Sequence, residues 1–184
     1  MIKITSVEPT HRIWQIEDLL PAAQVAQILA LDWINISWHR GLNQEHWPRR
    51  WLDQQDPVIR SLNQAVHNLI PEINQVIGTN YARCNSYWWV DEPGFTVSIH
   101  TDGEMQNSLQ MAWIAPSDDY GTRFYHDRAG NQLMYQSLGR TNTGYIMLNH
   151  PNEDGSQPLH WHGMLNPVPD NTYRVSSYYQ FLTD

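Results

Sequence analysis

From Tyr81 onward the chain runs in short stretches rich in Trp, Tyr, Val, Ile and Thr, separated by turn clusters. Turns stand at Glu92-Pro93-Gly94, Pro116-Ser117-Asp118-Asp119, Arg128-Ala129-Gly130-Asn131 and Pro151-Asn152-Glu153-Asp154-Gly155. Punctuation this frequent leaves no room for long helices, and the aromatic and β-branched runs between the turns fit pleated strands. We expect strands near 84–90, 95–102, 108–115, 121–126, 132–137, 143–149, 159–166 and 173–182. About eight short strands at that spacing predict a sandwich or jelly roll.

The front of the chain has a different period. Pro21 opens a segment with Val25, Ile28 and Leu29 at helical spacing. A second helix is clearer. Asp56 is placed as its N-cap and Pro57 at its first turn, with Val58, Leu62, Ala65, Val66, Leu69 and Ile73 as one apolar stripe. Pro71 kinks or restarts that helix, and Gly78 ends it. The expected organisation is one domain over 1–184, with 1–80 a helical support and 81–184 the β core. The sequence contains neither an internal repeat nor a low-complexity linker.

Charge narrows the partners. The formal net charge is −8 over 184 residues. Nucleic-acid binders carry a basic field or stripe, and here the one notable basic cluster is Arg49-Arg50 between Trp47 and Trp51. A nucleic-acid partner is therefore disfavoured. The single Cys, Cys84, rules out an intrachain disulfide framework and fits a reducing compartment. The opening residues have no apolar h-region, and no run of about 18 apolar residues offers a membrane span. The expected location is cytoplasmic, without a membrane partner.

The chemistry concentrates in the β half. In Phe95-Thr96-Val97-Ser98-Ile99-His100-Thr101-Asp102, strand alternation puts His100 and Asp102 on one face. An imidazole and a carboxylate at that spacing can meet one ion. A bare His-x-Asp is weak evidence, since chance supplies it in many chains. It gains weight from Leu159-His160-Trp161-His162-Gly163-Met164, about 60 residues on, and from Arg174-Val175-Ser176 in the last strand. Two His and one carboxylate on one face of an octahedral ion leave three positions open, enough for a chelating acid and then oxygen. Arg174 and Ser176 share a face, and a guanidinium with a nearby hydroxyl can hold a distal carboxylate. By alternation alone His160 and His162 are equivalent.

The order His-x-Asp, distal His, then Arg-x-Ser in the final strand resembles the Fe(II)/2-oxoglutarate-dependent dioxygenase superfamily, over roughly residues 81–182. Gly121-Thr122-Arg123-Phe124 loosely resembles that family's mid-barrel Gly-x-Thr-x-Phe turn, one residue short. The front helices are similar in kind to those of prolyl-hydroxylase-like members. The resemblance implies a double-stranded β-helix, a cupin-like jelly roll buttressed by helices. It implies Fe(II) on His100, Asp102 and His162, with His162 preferred to His160 because Trp-His-Gly before Asn-Pro-Val and Arg fits the family better. It implies 2-oxoglutarate as co-substrate, its C5 carboxylate on Arg174 and Ser176. The expected reaction is hydroxylation with O2 of a small molecule or a peptide side chain. Asp102 stands where halogenating relatives carry a small residue, which disfavours halogenation. The competing reading is a cupin-like metal protein or metalloenzyme without 2-oxoglutarate, which would have no need of Arg174 and Ser176. A second rival is a non-enzymatic interaction module with a Trp-rich binding face, which would tolerate loss of His100 or Asp102.

Other residues divide between pocket and packing. Arg123 and Tyr125 alternate and could face the site, although an exposed ion pair suits Arg123 equally. Asn85, Tyr87 and Trp89 share a face of the first barrel strand, and Tyr87 could hydrogen-bond the co-substrate. Trp113 is assigned to the core, Asn149 to a turn or the pocket mouth, and Cys84 to an inert position. The connection from Asn35 to Gln55, rich in Trp, His and Arg, borders the site or packs as an irregular loop.

Overall fold

The computed structural model describes residues 2–36, 48–102, 107–149 and 160–183. Of the Asn35–Gln55 connection expected to border the site, residues 37–47 fall outside them. Among the described residues are three α-helices and eleven strands in two antiparallel sheets. Each of the eight expected strands forms: β4 (Arg83–Asp91), β5 (Val97–His100), β6 (Ser108–Ile114), β7 (Arg123–Tyr125), β8 (Leu133–Gln136), β9 (Thr143–Met147), β10 (Trp161–Met164) and β11 (Arg174–Leu182).

The first 80 residues are more than a helical support. They contribute β1 (Lys3–Glu8), β2 (Ile13–Glu17) and the short β3 (Arg49–Trp51). β1 and β2 form a hairpin that pairs with the outer edge of β9, and β3 pairs with β4. The larger sheet is therefore seven-stranded, in the order β1-β2-β9-β6-β11-β4-β3, against a four-stranded sheet β5-β10-β7-β8. The eight expected strands divide four and four between the sheets, and β1, β2 and β3 are added at the edges of the larger one. β1 and β3 carry little signal in the sequence because one is largely exposed and the other is three residues long. From β4 to β11 the chain passes back and forth between the two sheets, with one hairpin, β7–β8, inside the smaller one, which makes the double-stranded β-helix.

The helices follow local rules. The Asp56 carboxylate accepts from Val58 N at 2.9 Å and Ile59 N at 3.4 Å, capping α2 (Pro57–His67). Pro71 lies in the first turn of a separate helix, α3 (Ile70–Ile77), so it restarts the helical path rather than kinking it. Gly78 ends α3 at φ +71°, a left-handed position that suits glycine. α1 (Ala22–Leu29) buries Ile28 and leaves Leu29 exposed. No helix among the described residues is long and apolar enough to cross a membrane.

Strand alternation gives the larger sheet two different faces. Trp88, Val90, Met111, Trp113, Val175 and Tyr179 join Ile59, Leu62, Val66 and Ile73 from the helices in one apolar core. Trp33, Trp88 and Trp113 stack within it, with centroids 5.7 and 5.4 Å apart and planes within 9°. Trp88 Nε1 donates to Asn63 Oδ1 and Trp113 Nε1 to Ser177 Oγ, so these indoles are buried with partners. The opposite face, one residue out of phase, carries Tyr87, Trp89, Asp91, Arg174, Ser176 and Tyr178 and looks toward the smaller sheet.

Candidate metal centre

β5 and β10 are neighbours in the smaller sheet, and His100 lies in register with His162. Asp102 follows two residues beyond His100. The Asp102 Oδ1 atom is 3.5 Å from His100 Nε2 and 3.8 Å from His162 Nε2, and the imidazole centroids are 4.5 Å apart. One donor atom from each residue lies within 4.8 Å of the others.

The backbone sets which nitrogen faces inward. His100 Nδ1 donates to the Ser98 carbonyl and His162 Nδ1 to the His160 carbonyl, each at 2.8 Å. A neutral imidazole with its proton on Nδ1 presents an Nε2 lone pair. Two such lone pairs and a carboxylate oxygen point at one small volume, an arrangement a cation relieves. Phe124 packs against the His162 ring with centroids 5.5 Å apart. The donor set fits a divalent ion of the non-haem iron class, with one face of the octahedron left open.

The proton affinities follow from the same contacts. The hydrogen bond to Asp102 raises the His100 pKa above the ordinary histidine value, while burial lowers that of His162. Burial works against the Asp102 carboxylate, but its hydrogen bond to His100 and the neighbouring imidazoles outweigh it and hold its pKa low.

The structure separates the two candidate histidines. His160 turns away: Nε2–H donates to the His11 carbonyl and Nδ1 meets the Asn149 side-chain amide. Burial pushes its pKa down to about 4, so it is a neutral, buried, hydrogen-bonded side chain. His160 lies just before β10, outside the paired strand, so the alternation that makes the two look equivalent in sequence does not extend to it.

Gly163 keeps the two ligand strands together. A Cβ there would lie 2.7 Å from the Val97 carbonyl oxygen, which real side chains do not reach. Gly163→Ala is therefore expected to push β10 off β5 and separate His162 from His100. Mn(II) affinity, measured by calorimetry, should fall roughly ten- to hundredfold, the range typical when the support of a ligand is lost. Unchanged affinity would show that the strand spacing does not control the centre.

His100, Asp102 and His162 lie on the wall of a cavity of about 350 Å³. Trp51, Tyr87, Trp89 and Tyr178 form an aromatic side, and Val97 and Met164 lie on the smaller sheet. Arg49 and Arg174 are also in the wall. Arg174 is in the expected place, yet both arginines are clamped onto Asp91, which is completely buried. Ser176 is buried and borders a narrow neighbouring cleft with Tyr145, Ser137 and Arg174, so Arg174 lines both that cleft and the metal cavity.

Arg49 and Trp51 belong to the Asn35–Gln55 connection expected to border the site, and both line the cavity. Asp91 was not singled out, although it extends the inward face of Asn85, Tyr87 and Trp89 by one more alternation. What the sequence could not separate was Arg49 from Arg50, since only the pairing with β4 turns Arg49 inward. Arg123 does not reach the cavity. It donates to Gln136 Oε1 at 3.2 Å, while its neighbour Thr122 lines the wall. Tyr87 lines the cavity as expected, and Trp113 is core. Cys84 is half-buried, with burial raising its thiol pKa to about 11, in keeping with an inert position.

No family model matches the sequence, and no curated protein matches it significantly. Solved structures do match the fold along nearly the whole chain. A prolyl-4-hydroxylase from Pseudomonas putida is 17% identical with a TM-score of 0.63, covering 96% of this chain and 95% of its own. HygX from Streptomyces hygroscopicus, crystallised with nickel and 2-oxoglutarate, is 10% identical at TM-score 0.65, covering 95% of this chain and 84% of its own. The viral collagen prolyl hydroxylase of Paramecium Bursaria Chlorella virus-1, in complex with 2-oxoglutarate, is 13% identical at TM-score 0.59, covering 97% of this chain and all of its own. The chain therefore has the double-stranded β-helix fold of the 2-oxoglutarate/Fe(II) oxygenases. The structures it resembles include prolyl hydroxylases and HygX, which has also been crystallised with nickel, 2-oxoglutarate and hygromycin B.

Proposed function

We propose that this protein is a non-haem Fe(II)- and 2-oxoglutarate-dependent oxygenase that hydroxylates a small molecule or a peptide side chain. One observation carries the reading: a His100–Asp102–His162 donor cluster shares a cavity with buried arginines. Fold alone does not define function, but a metal protein that ignores 2-oxoglutarate has no use for guanidinium groups buried in the metal cavity.

His100, Asp102 and His162 would hold the iron, leaving one side open. Bound Fe(II) would supply activation of O2, with 2-oxoglutarate as the two-electron reductant that leaves as succinate and CO2 while one oxygen atom enters a substrate C–H bond. Arg174 fixes the far carboxylate of the oxo acid, and so sets which end of it meets the ligand cluster. The aromatic side of the cavity orients the prime substrate and keeps water away from it. The net charge of −8 opposes long-range attraction to phosphate.

The test is a substrate panel of free amino acids, proline-containing peptides, small metabolites and single-stranded oligonucleotides, with iron-loaded protein. Succinate release and product mass are read together. A product heavier by one oxygen and formed with equimolar succinate is the expected result. Iron-loaded protein that binds no 2-oxoglutarate and releases no succinate with any member would refute the assignment. Salt-sensitive oligonucleotide binding with an oxidised base as product would overturn the substrate class alone.

A further inference from the structure

The two histidines of the donor cluster are oriented by carbonyls in different surroundings. His100 Nδ1 donates to the carbonyl of Ser98, a residue within β5. His162 Nδ1 donates at 2.8 Å to the carbonyl of His160. His160 stands just before β10, whose first residue, Trp161, pairs with Tyr125. Among the described residues no strand pairing includes His160 itself. Ladder pairing therefore does not fix the carbonyl that aims His162, although a metal-binding imidazole is only as well aimed as the group its other nitrogen binds.

The His160 side chain supplies what the ladder does not. It is buried, with Nε2–H donating to the His11 carbonyl and Nδ1 against the Asn149 side-chain amide. His11 lies in the turn between β1 and β2, where Arg12 N donates to the Pro9 carbonyl at 3.1 Å. Asn149 lies just past the end of β9, and its backbone N–H donates to Asn107 Oδ1 at 2.8 Å. The His11 ring meets those of His160 and His126 edge-on, with centroids 6.4 and 5.4 Å apart. The β1–β2 turn and the end of β9 thus close on one imidazole. A neutral imidazole has one donor and one acceptor, and here both are in use.

We propose that His160 is a positioning residue for the metal centre: its ring, clamped between the β1–β2 turn and the end of β9, holds the carbonyl that orients His162. This rests on the reading of His100, Asp102 and His162 as the metal ligands. His160 does not touch the ion in this role and acts only through His162. The hairpin added at the edge of the larger sheet then takes part in the centre, because its turn provides one jaw of the clamp. Without the clamp the peptide ahead of Trp161 is free to turn, and the His162 lone pair swings off the point where the other two donors meet.

The experiment uses the full chain, titrated with Mn(II) by calorimetry and loaded with Co(II) for visible absorption, whose ligand-field bands report the geometry around the ion. His160→Phe keeps a ring and removes both hydrogen bonds. His160→Gln keeps a donor for the His11 carbonyl. Asn63→Ala takes the partner from the Trp88 indole in the core, so it lowers stability without touching the clamp. A thermal melt of each variant gives that stability. His160→Phe should weaken Mn(II) binding roughly ten- to hundredfold and shift the Co(II) bands. His160→Gln should stay within about threefold of the wild type with unshifted bands, and so should Asn63→Ala despite its lower melting temperature. If His160→Phe does not fold, His160→Asn takes its place with the same expected loss, since its shorter amide stops short of the His11 carbonyl. Wild-type affinity and bands without the His160 ring would overturn the inference. So would a loss as large in His160→Gln, where the clamp is kept, or in Asn63→Ala, where only stability changes. Wild-type protein that binds no Mn(II) would instead sink the reading of the metal ligands, and this inference with it.

Discussion

Asp102→Ala is expected to abolish oxoglutarate-dependent turnover while leaving the protein folded. Asp102 lies just past the end of β5, outside the paired strands, so no ladder depends on it. Its side chain is 22% exposed and pairs with His100 and His162. Removing it leaves two imidazoles that can still bind a divalent ion, but with one negative charge and one ligand fewer. The turnover number should fall by about three orders of magnitude or more, equivalent to roughly 4 kcal/mol in the barrier. The melting temperature of the metal-free variant should stay within a few degrees of the wild type, since Asp102 stands outside the strand ladders and holds none of them together. Succinate release and a thermal melt check both halves. Turnover within about tenfold of the wild type, at normal iron content, would remove Asp102 from the ligand set.

Asp91→Asn should produce the largest loss of stability among single changes at the site. Asp91 has no solvent exposure and bridges two buried guanidinium groups. Asparagine keeps the shape but removes the only charge lying between them. Two guanidiniums then face each other in a poorly solvated space, and breaking a buried ion pair from one side costs about 3–5 kcal/mol. Arg49→Met should cost less, because it leaves one Asp91–Arg174 pair with balanced charge. Urea unfolding of both variants measures the order. If Arg49→Met proves the more damaging, the triad is held together by the aromatic packing of Arg49 and not by charge. The Asp91→Asn protein should also bind 2-oxoglutarate more weakly, since both arginines lose their anchor.

The readable parts of the chain are those governed by local rules. Alternation in β5 placed His100 and Asp102 together because two residues along a strand return to the same face. The α2 cap, the Pro71 restart and the left-handed Gly78 depend on a few neighbouring residues each, so they too could be read directly. The choice between His160 and His162 could not be made that way. It depends on where β10 begins and on which partners the His160 ring finds, and those partners, His11 and Asn149, lie outside the strand and distant from it in sequence.

By itself, the sequence determined the eight barrel strands, the periods of the front helices and the spacing of the metal donors, because each is written in short-range alternation or capping. The tertiary structure alone decided that β1 and β2 extend the larger sheet, that Ser176 and Arg174 line a narrow cleft beside the metal cavity, and that Arg49 and Arg174 both meet Asp91. Arg49 is 42 residues from Asp91, which is itself 83 residues from Arg174. Nothing local links them. They come together because β3, β4 and β11 pair side by side, and a buried carboxylate draws in whatever cations the neighbouring strands present at its level.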